Sequence, residues 1–294
     1  MPFAAELETL PPPALPTVEP VKRRIVVDLG RWLLAASLLA AAGGAPAQLQ
    51  TQAPAQGGAA GGELVLQARE AFRLKDKAQL AALRDAAIAQ DHPLAPWIGY
   101  WELGNRLAEA QQADFDAFAE RWRGTYVEDR MRNDWLLELG KRRDWAHLRI
   151  EYPRFRMNDD REVICYAVLA QHLEGQDVRA AARTAWTAPR DSDDGCLLLG
   201  ATMFEQKVFG PDDLWPALRQ ATEQNRARLA RDRAALVDPG LAAQVESIFK
   251  DPGRWLRERR GVRTEANKRL AVLALWRLAA ADPDLAAAAI VQHE

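Results

Sequence analysis

The feature that most constrains the fold of this chain is a helical periodicity that is interrupted at short intervals. From Leu64 onward, apolar residues recur at spacings of three and four, and Gly, Pro or Asp breaks the pattern every ten to eighteen residues. Long Ala-rich runs occur without blocks of Val and Ile at alternating positions, which would indicate strands. The pattern predicts an all-α protein built from short helices.

Several helix ends are predicted by the residues that flank the apolar stripes. The segment from Pro93 to Ala110 is interpreted as one helix with apolar residues on both sides. A later stripe that begins at Val127 ends at Gly140, where we expect glycine to form a left-handed cap. Asp144 and Asp160 precede further stripes and are predicted N-caps.

Short helices that are joined by tight turns and buried on two sides are typical of a stack in which each helix pair contacts only its neighbours. We therefore predict a superhelical α-solenoid of helix hairpins over residues 64–294. No strict 34-residue period occurs, so any repeat is degenerate. The segment from Asp284 to Glu294 begins a helix and stops without a cap, which predicts that the solenoid is cut short.

The amino terminus is typical of a secretory signal. Lys22, Arg23 and Arg24 precede the apolar run Trp32 to Ala42, and a small-residue Ala-x-Ala site ends at Ala47. The run is shorter than the roughly 20 residues that a membrane-spanning helix needs. We therefore expect an amino-terminal extension and cleavable signal over 1–47, a flexible Gly-, Ala- and Gln-rich leader over 48–63, and no stable membrane insertion.

Charge and composition exclude two classes of protein. The 39 basic residues nearly balance the 41 acidic ones, and the formal net charge of −2 gives no electrostatic basis for binding nucleic acid. A hydrophobic fraction of 48% excludes a wholly disordered chain. Nucleic acid is therefore not an expected partner.

Cys165 and Cys196 are the two cysteines of the chain. In an exported protein, a pair held close by the fold becomes oxidised, and neighbouring solenoid layers would bring these two helices together. The sequence therefore predicts a disulfide, with two separate buried thiols as the alternative.

The residues that usually carry chemistry form no recognisable constellation here. The histidines His92, His147, His172 and His293 are scattered, without an HExxH pattern. Asp191, Asp193 and Asp194 lack the spacing of a calcium loop and are interpreted as a solvated turn and helix cap. We expect no metal, no cofactor and no catalytic residue in this chain.

Two residue classes leave a choice between packing and binding. The tryptophans, which include Trp97, Trp101, Trp122, Trp135 and Trp145, either pack between helix layers or stack on sugar rings, and their helical spacing favours packing. The Arg257, Glu258, Arg259, Arg260 stretch is either an exposed charged turn, which is the simpler account, or a contact for carboxylates.

Several motifs in order resemble the amino-terminal superhelical domain of soluble lytic murein transglycosylases. They include HPLAPWIGYWEL (His92 to Leu103), Asp134-Trp135 with Leu139-Gly140, Asp144-Trp145 with Tyr152-Pro153, and EVICYAVLAQ around Cys165. GPDDLWPALRQA, DPGRWL and ADPDLAAAAI also look like later parts of that domain. The resemblance covers most of residues 68–290.

The resemblance implies an activity that this chain does not itself carry. The family cleaves the β-1,4 bond between N-acetylmuramic acid and N-acetylglucosamine in peptidoglycan and leaves 1,6-anhydromuramoyl ends, using one Glu of a separate lysozyme-like domain. The Gly-Leu-Met-Gln and Ala-Tyr-Asn-Ala-Gly stretches of that domain do not occur here. Glu246-Ser247 resembles its Glu-Ser pair, yet Glu246 is followed by DPGRWL, which matches the superhelical domain instead.

The sequence thus leaves two functional hypotheses. The first is the periplasmic, strand-accommodating part of a lytic transglycosylase, with peptidoglycan glycan strands and other cell-wall enzymes as partners. The alternative is a non-catalytic periplasmic helical-repeat scaffold that binds proteins. A lysozyme-like segment after residue 294 in the gene would favour the first.

Overall fold

A computed structural model describes residues 57–189, 191–259 and 264–293. The predicted signal and residues 48–56 of the predicted leader lie outside this part of the chain. Residues 57–63 were expected to belong to the leader but form the start of the first helix. The fifteen α-helices of the described ranges are α1 Gly57–Leu74, α2 Lys77–Ala89, α3 Ala95–Asn105, α4 Gln112–Arg121, α5 Tyr126–Arg142, α6 Trp145–Glu151, α7 Arg161–Leu173, α8 Arg179–Thr187, α9 Asp194–Glu205, α10 Pro211–Glu223, α11 Ala227–Ala235, α12 Pro239–Lys250, α13 Pro252–Glu258, α14 Glu265–Ala281 and α15 Pro283–His293.

These helices form an α-solenoid, as the periodicity predicts. Each helix packs against helices that lie close to it in the sequence, such as α1 on α2 and α3, α5 on α6 and α7, and α11 on α12. The most distant substantial contact along the chain joins α10 to α14. No strand occurs in the described ranges. Contacts of this kind are typical of a quasi-one-dimensional stack.

Side-chain caps explain where many of the helices begin. The carboxylates of Asp144 and Asp160 accept hydrogen bonds from backbone N–H groups of the first turns of α6 and α7, as the sequence predicts. Such bonds satisfy donors that have no partner within the helix. The same type of cap starts other helices at Asp76, Thr125, Asp193, Asp238, Asp251 and Thr264.

Gly140 is not the cap that the sequence predicts. Helix α5 continues to Arg142, and Arg143 takes the left-handed conformation with φ 61°. Gly140 lies inside the helix, where a Cβ atom would be 2.3 Å from Cδ2 of Tyr166 on α7. Glycine is required there because the Tyr166 ring packs directly on the α5 backbone.

The buried apolar side chains form four clusters in chain order. The first contains Ile98, the second is built around Trp135, the third around Trp186 and the fourth around Trp255. Because each cluster is filled by helices that are near neighbours in sequence, no single centre holds the fold together.

A disulfide in the third of these clusters links two helices. Cys165 on α7 is bonded to Cys196 on α9, with a sequence separation of 31 residues. The bridge fixes α7 against α9, and the chain between the two cysteines contains α8.

No helix of the described ranges has the length and apolar character that crossing a bilayer requires.

Candidate functional site

A cleft between α2, α3 and α4 combines aromatic side chains with fixed charges, and we call it the aromatic cleft. Its volume is about 530 Å³, which lies in the range of about 300–1,000 Å³ that is usual for small-ligand sites. Its apolar lining includes the aromatic rings of Phe118 and Trp122, and its charged lining consists of Arg84, Asp85, Glu102, Arg106, Asp114 and Arg121.

The aromatic wall depends on a glycine of α3. A Cβ atom on Gly99 would lie 3.3 Å from Nε1 of Trp122 and 3.4 Å from Cε2 of Phe118. The missing side chain lets the end of α4 come close to α3, so that both rings border the cleft. The Arg121 guanidinium lies 5.8 Å from the centre of the Trp122 ring, in a cation–π arrangement.

A buried carboxylate organises the charges of the aromatic cleft. Glu102 is 7% exposed. Its Oε2 forms an ion pair with Nη1 of Arg84 at 2.9 Å, and its Oε1 forms one with Nε of Arg106 at 2.8 Å. Each arginine is thereby held in one orientation, because a buried carboxylate needs its charge partners.

Asp114 extends this network to the start of α4. Its Oδ1 accepts a 2.9 Å bond from Nη1 of Arg106, and its Oδ2 accepts a 2.8 Å bond from the backbone N–H of Gln111. The Gln111 N–H and then the Arg106 guanidinium stabilise the anionic form and lower the pKa of Asp114. Asp114 is therefore ionised throughout the neutral pH range and extends the Arg84–Glu102–Arg106 network to the start of α4.

This arrangement suits binding better than acid–base chemistry. A half-buried indole offers a flat face, and the oriented arginines and Asp114 offer hydrogen-bond donors and acceptors around it. The described residues that line the cleft include no His, Cys or Ser. An aromatic face with a polar rim is the kind of surface on which a sugar ring can stack.

Among the catalytic, metal-binding and sugar-stacking candidates of the sequence, Trp122 lines the aromatic cleft, and Gly99, Glu102 and Leu103 of the His92–Leu103 motif line it as well. Glu246 is exposed on α12, whose buried side carries Val245 and Ile248. His147 pairs with Asp144, and His172 with Gln206. No group of three or more His, Cys, Asp or Glu side chains in the described ranges is arranged to hold a metal ion.

The tryptophans divide between the two interpretations. Trp135 is fully buried, whereas Trp97, Trp101, Trp122 and Trp145 are half-buried. The whole Trp135 side chain is therefore used in packing, whereas each of the other four keeps part of its surface exposed. Arg257, Glu258 and Arg259 are exposed as expected, but the first two form the end of α13 rather than a turn, and Arg260 lies outside the described residues.

The acidic residues near Cys196 form an exposed turn and a helix cap, as the sequence predicts, although the capping residue is half-buried. Asp191 is exposed and pairs with Arg226, while Asp193 is half-buried and caps α9 through a 2.7 Å bond from the Cys196 N–H. Burial, together with the nearby Glu162 and Asp160 carboxylates, raises the pKa of Asp193 to about 6 against the opposing effects of the Cys196 N–H and Arg233.

This shift predicts a pH-dependent stability that depends on Asp193. The folded pKa of about 6 lies above the value of about 3.9 for an unfolded Asp, so the folded state binds more protons between these values. The contribution of Asp193 to stability is therefore present below pH 4 and is lost as the pH rises through 6.

Asn keeps a good N-cap but does not titrate. We therefore expect the unfolding free energy of Asp193→Asn, relative to that of the native protein, to increase by on the order of 2 kcal/mol as the pH rises from 4 to 7. Urea unfolding across this pH range measures the difference. Asp191→Asn is the control because Asp191 is exposed, and parallel pH profiles for Asp193→Asn and the native protein would contradict the assignment.

The aromatic cleft was missed at the level of sequence, although part of its signal is present there. Glu102 and Arg106 stand four residues apart, and this spacing places them on one helix face. Glu102 interrupts an otherwise apolar stretch of α3, which is a sign of a buried, paired carboxylate. Nothing local indicates that Arg84 of α2 and Asp114 of α4 complete the network.

Comparison with known proteins identifies the fold. No protein-family model matches the sequence, and no curated protein is significantly similar to it. Solved structures that share its fold include three of soluble lytic transglycosylases. The 70 kDa soluble lytic transglycosylase from Escherichia coli matches with a TM-score of 0.58 and 18% identity, over 80% of this chain and 38% of its own.

The other two structures give the same result. A 70 kDa soluble lytic transglycosylase in complex with bulgecin A matches with a TM-score of 0.57 and 18% identity, over 80% of this chain and 38% of its own. An inactive Glu-to-Gln variant of lytic transglycosylase Slt from Pseudomonas aeruginosa matches with a TM-score of 0.54 and 24% identity, over 78% and 37%. This chain thus has the superhelical fold of a part of these proteins and spans less than half of their length.

Proposed function

We propose that this chain is the helical, strand-accommodating part of a lytic murein transglycosylase. Such an enzyme cleaves the β-1,4 bond between N-acetylmuramic acid and N-acetylglucosamine and forms 1,6-anhydromuramoyl ends. The observation that carries the proposal is the fold shared with soluble lytic transglycosylases over 78% to 80% of the chain. The ordered sequence motifs between His92 and Cys165 support it independently.

The part assigned to this chain is binding of the glycan strand. In the proposed reaction a single Glu protonates the leaving oxygen and then acts as a base while the 6-hydroxyl of the sugar attacks. We assign no residue of this chain to that step, because Glu246 is an exposed residue of α12, whose buried side packs in the core. We also propose a periplasmic location after removal of the signal over residues 1–47.

The aromatic cleft is the proposed contact for the strand. One sugar ring would lie against the Trp122 indole, and its hydroxyl groups would bind Arg84, Arg106 and Asp114. The buried Glu102 holds the two arginines in place, and Arg106 in turn holds Asp114. The apolar contact and the fixed polar groups act together, because stacking gives affinity while oriented charges select the ring position.

The alternative is a periplasmic scaffold that binds proteins, and one observation favours it. Val272 and Trp276, four residues apart on α14, are 52% and 48% exposed. Exposed large apolar residues on one helix face are typical of protein contacts. A scaffold would bind through this face and would leave isolated glycan unbound.

Cosedimentation of the mature protein with purified peptidoglycan sacculi tests the proposal. We expect saturable binding, with no release of anhydro products by this chain alone. Trp122→Leu, which keeps apolar volume but removes the ring, should weaken binding about tenfold, because aromatic contacts of this size contribute on the order of 1 kcal/mol or more.

Trp276→Leu is the matched control, since it removes a half-exposed indole from α14 instead. Equal binding by Trp122→Leu and the native protein would remove the aromatic cleft from the proposal. Failure of the native protein to bind sacculi, or a loss confined to Trp276→Leu, would favour the scaffold function.

A further inference from the structure

A second cleft lies on the other side of α4, and we call it the arginine cleft. It is formed by α4, the start of α5 and the 3₁₀ turn Tyr152–Arg154, and its volume is about 630 Å³. Four arginines line it together with Phe115, and they are Arg123, Arg132, Arg154 and Arg156. None of these residues belongs to the aromatic cleft.

The floor of the arginine cleft is a buried ion network. Arg132 is 6% exposed and donates through its two Nη atoms to Glu128 and Glu151, which are 6% and 1% exposed. The Arg132 guanidinium also lies 5.1 Å from the centre of the Phe115 ring. A floor with these contacts is rigid, because each buried charge has a partner that holds its orientation.

The two floor carboxylates have little remaining capacity for a ligand. Glu128 accepts from Arg132, from Nη2 of Arg156 at 3.1 Å and from the Gly124 N–H at 3.3 Å. Glu151 accepts from Arg132, from Nη1 of Arg154 at 3.1 Å and from Nε2 of Gln112 at 3.1 Å. Each carboxylate is therefore shared between the buried Arg132 and one rim arginine.

The rim, in contrast, keeps hydrogen-bond donors that face the cleft. The side chains of Arg154 and Arg156 are 61% and 50% exposed. Nε and Nη2 of Arg154 and Nη1 of Arg156 have no hydrogen-bond partner among the described residues. A guanidinium carries five N–H donors and no acceptor, so these groups favour a ligand whose polar atoms are hydrogen-bond acceptors.

The charge of the lining restricts the ligand further. The four arginines are balanced by Asp116, Glu120, Glu128 and Glu151, so the lining is formally neutral. A neutral lining accepts a single negative charge at lower electrostatic cost than a double one. Planar guanidinium groups also match the two oxygens of a carboxylate.

We propose that the arginine cleft binds the terminal carboxylate of a short peptide, with Arg154 and Arg156 as its donors and the partly exposed Ala119 beside its last side chain. The cleft volume accommodates two or three small residues. The carboxylate assignment stands on the cleft alone. Its extension to the peptides of peptidoglycan rests on the proposed function.

Titration of the full chain with N-acetyl-alanyl-alanine, followed by NMR amide shifts at low salt, tests this site. We expect saturable shifts at residues of the arginine cleft, and at least tenfold weaker binding of the carboxamide form of the same dipeptide. Arg154→Gln should weaken the carboxylate form about tenfold while the protein stays folded, since its side chain is exposed and Glu151 keeps Arg132 and Gln112.

Arg254→Gln is the matched control, because Arg254 is 69% exposed in an i,i+4 pair with Glu258 on α13. Equal affinity for acid and amide, or unchanged binding by Arg154→Gln, would overturn the proposal. Tighter binding of inorganic phosphate than of the dipeptide would overturn it in favour of a general anion site. The D- and L-alanine dipeptides separate a peptidoglycan peptide from an ordinary one, and sacculus binding through Trp122 is measured independently.

Discussion

Replacing Arg132 by methionine should destabilise the protein by about 3–5 kcal/mol, because it leaves two carboxylates buried without their shared partner. Glu128 and Glu151 would keep Arg156 and Arg154, which are half-exposed and hold each carboxylate from one side only. Methionine fills most of the volume of the arginine stem, so the lost stability reports charge rather than packing.

Urea unfolding at pH 7 measures this loss, and removal of the two buried charges identifies the cause. Adding Glu128→Gln and Glu151→Gln to Arg132→Met should restore part of the stability at pH 7. A deficit below about 1 kcal/mol, or no recovery in the triple variant, would contradict a buried network held by Arg132.

Removal of the disulfide should cost about 3–4 kcal/mol. The bridge closes a loop with a sequence separation of 31 residues, and the chain-entropy model gives a loss of this size when such a loop is opened. Cys165 and Cys196 are buried, so alanine is the appropriate replacement, since a buried serine would add an unpaired hydroxyl.

Urea unfolding of the oxidised protein and of the double variant Cys165→Ala, Cys196→Ala measures this effect. Reduction of the native protein should give a similar loss, whereas reductant should leave the double variant unchanged. Unfolding midpoints for the double variant and the oxidised protein that agree within error would show that α7 and α9 are held together by packing alone.

The helices themselves were largely predictable from the sequence, because their signals are local. An N-cap such as Asp144 or Asp160 binds a backbone N–H two or three residues away, so its effect does not depend on the rest of the fold. The succession of short amphipathic helices then predicts the solenoid, since each helix can bury two sides only against its sequence neighbours.

The clefts were not predictable in the same way. Glu102 is recognisable as an unusual charge in an apolar helix, but its partner Arg84 comes from α2 across the cleft. The same holds for Arg132, which meets Glu128 one turn earlier in α5 and Glu151 at the end of α6. Helical spacing identifies a partner in the same helix, such as Glu128, and gives no information about a partner from another helix, such as Glu151.

The sequence by itself determined the helix succession, many of the helix starts and the pairing of Cys165 with Cys196 as a candidate bridge. The tertiary structure decided which positions require a glycine or a charge. Gly140 was expected to end α5, and it lies inside that helix because the Tyr166 ring of α7 occupies the space of its side chain. Caps depend on residues within one helical turn, whereas such contacts and both clefts depend on how whole helices stack.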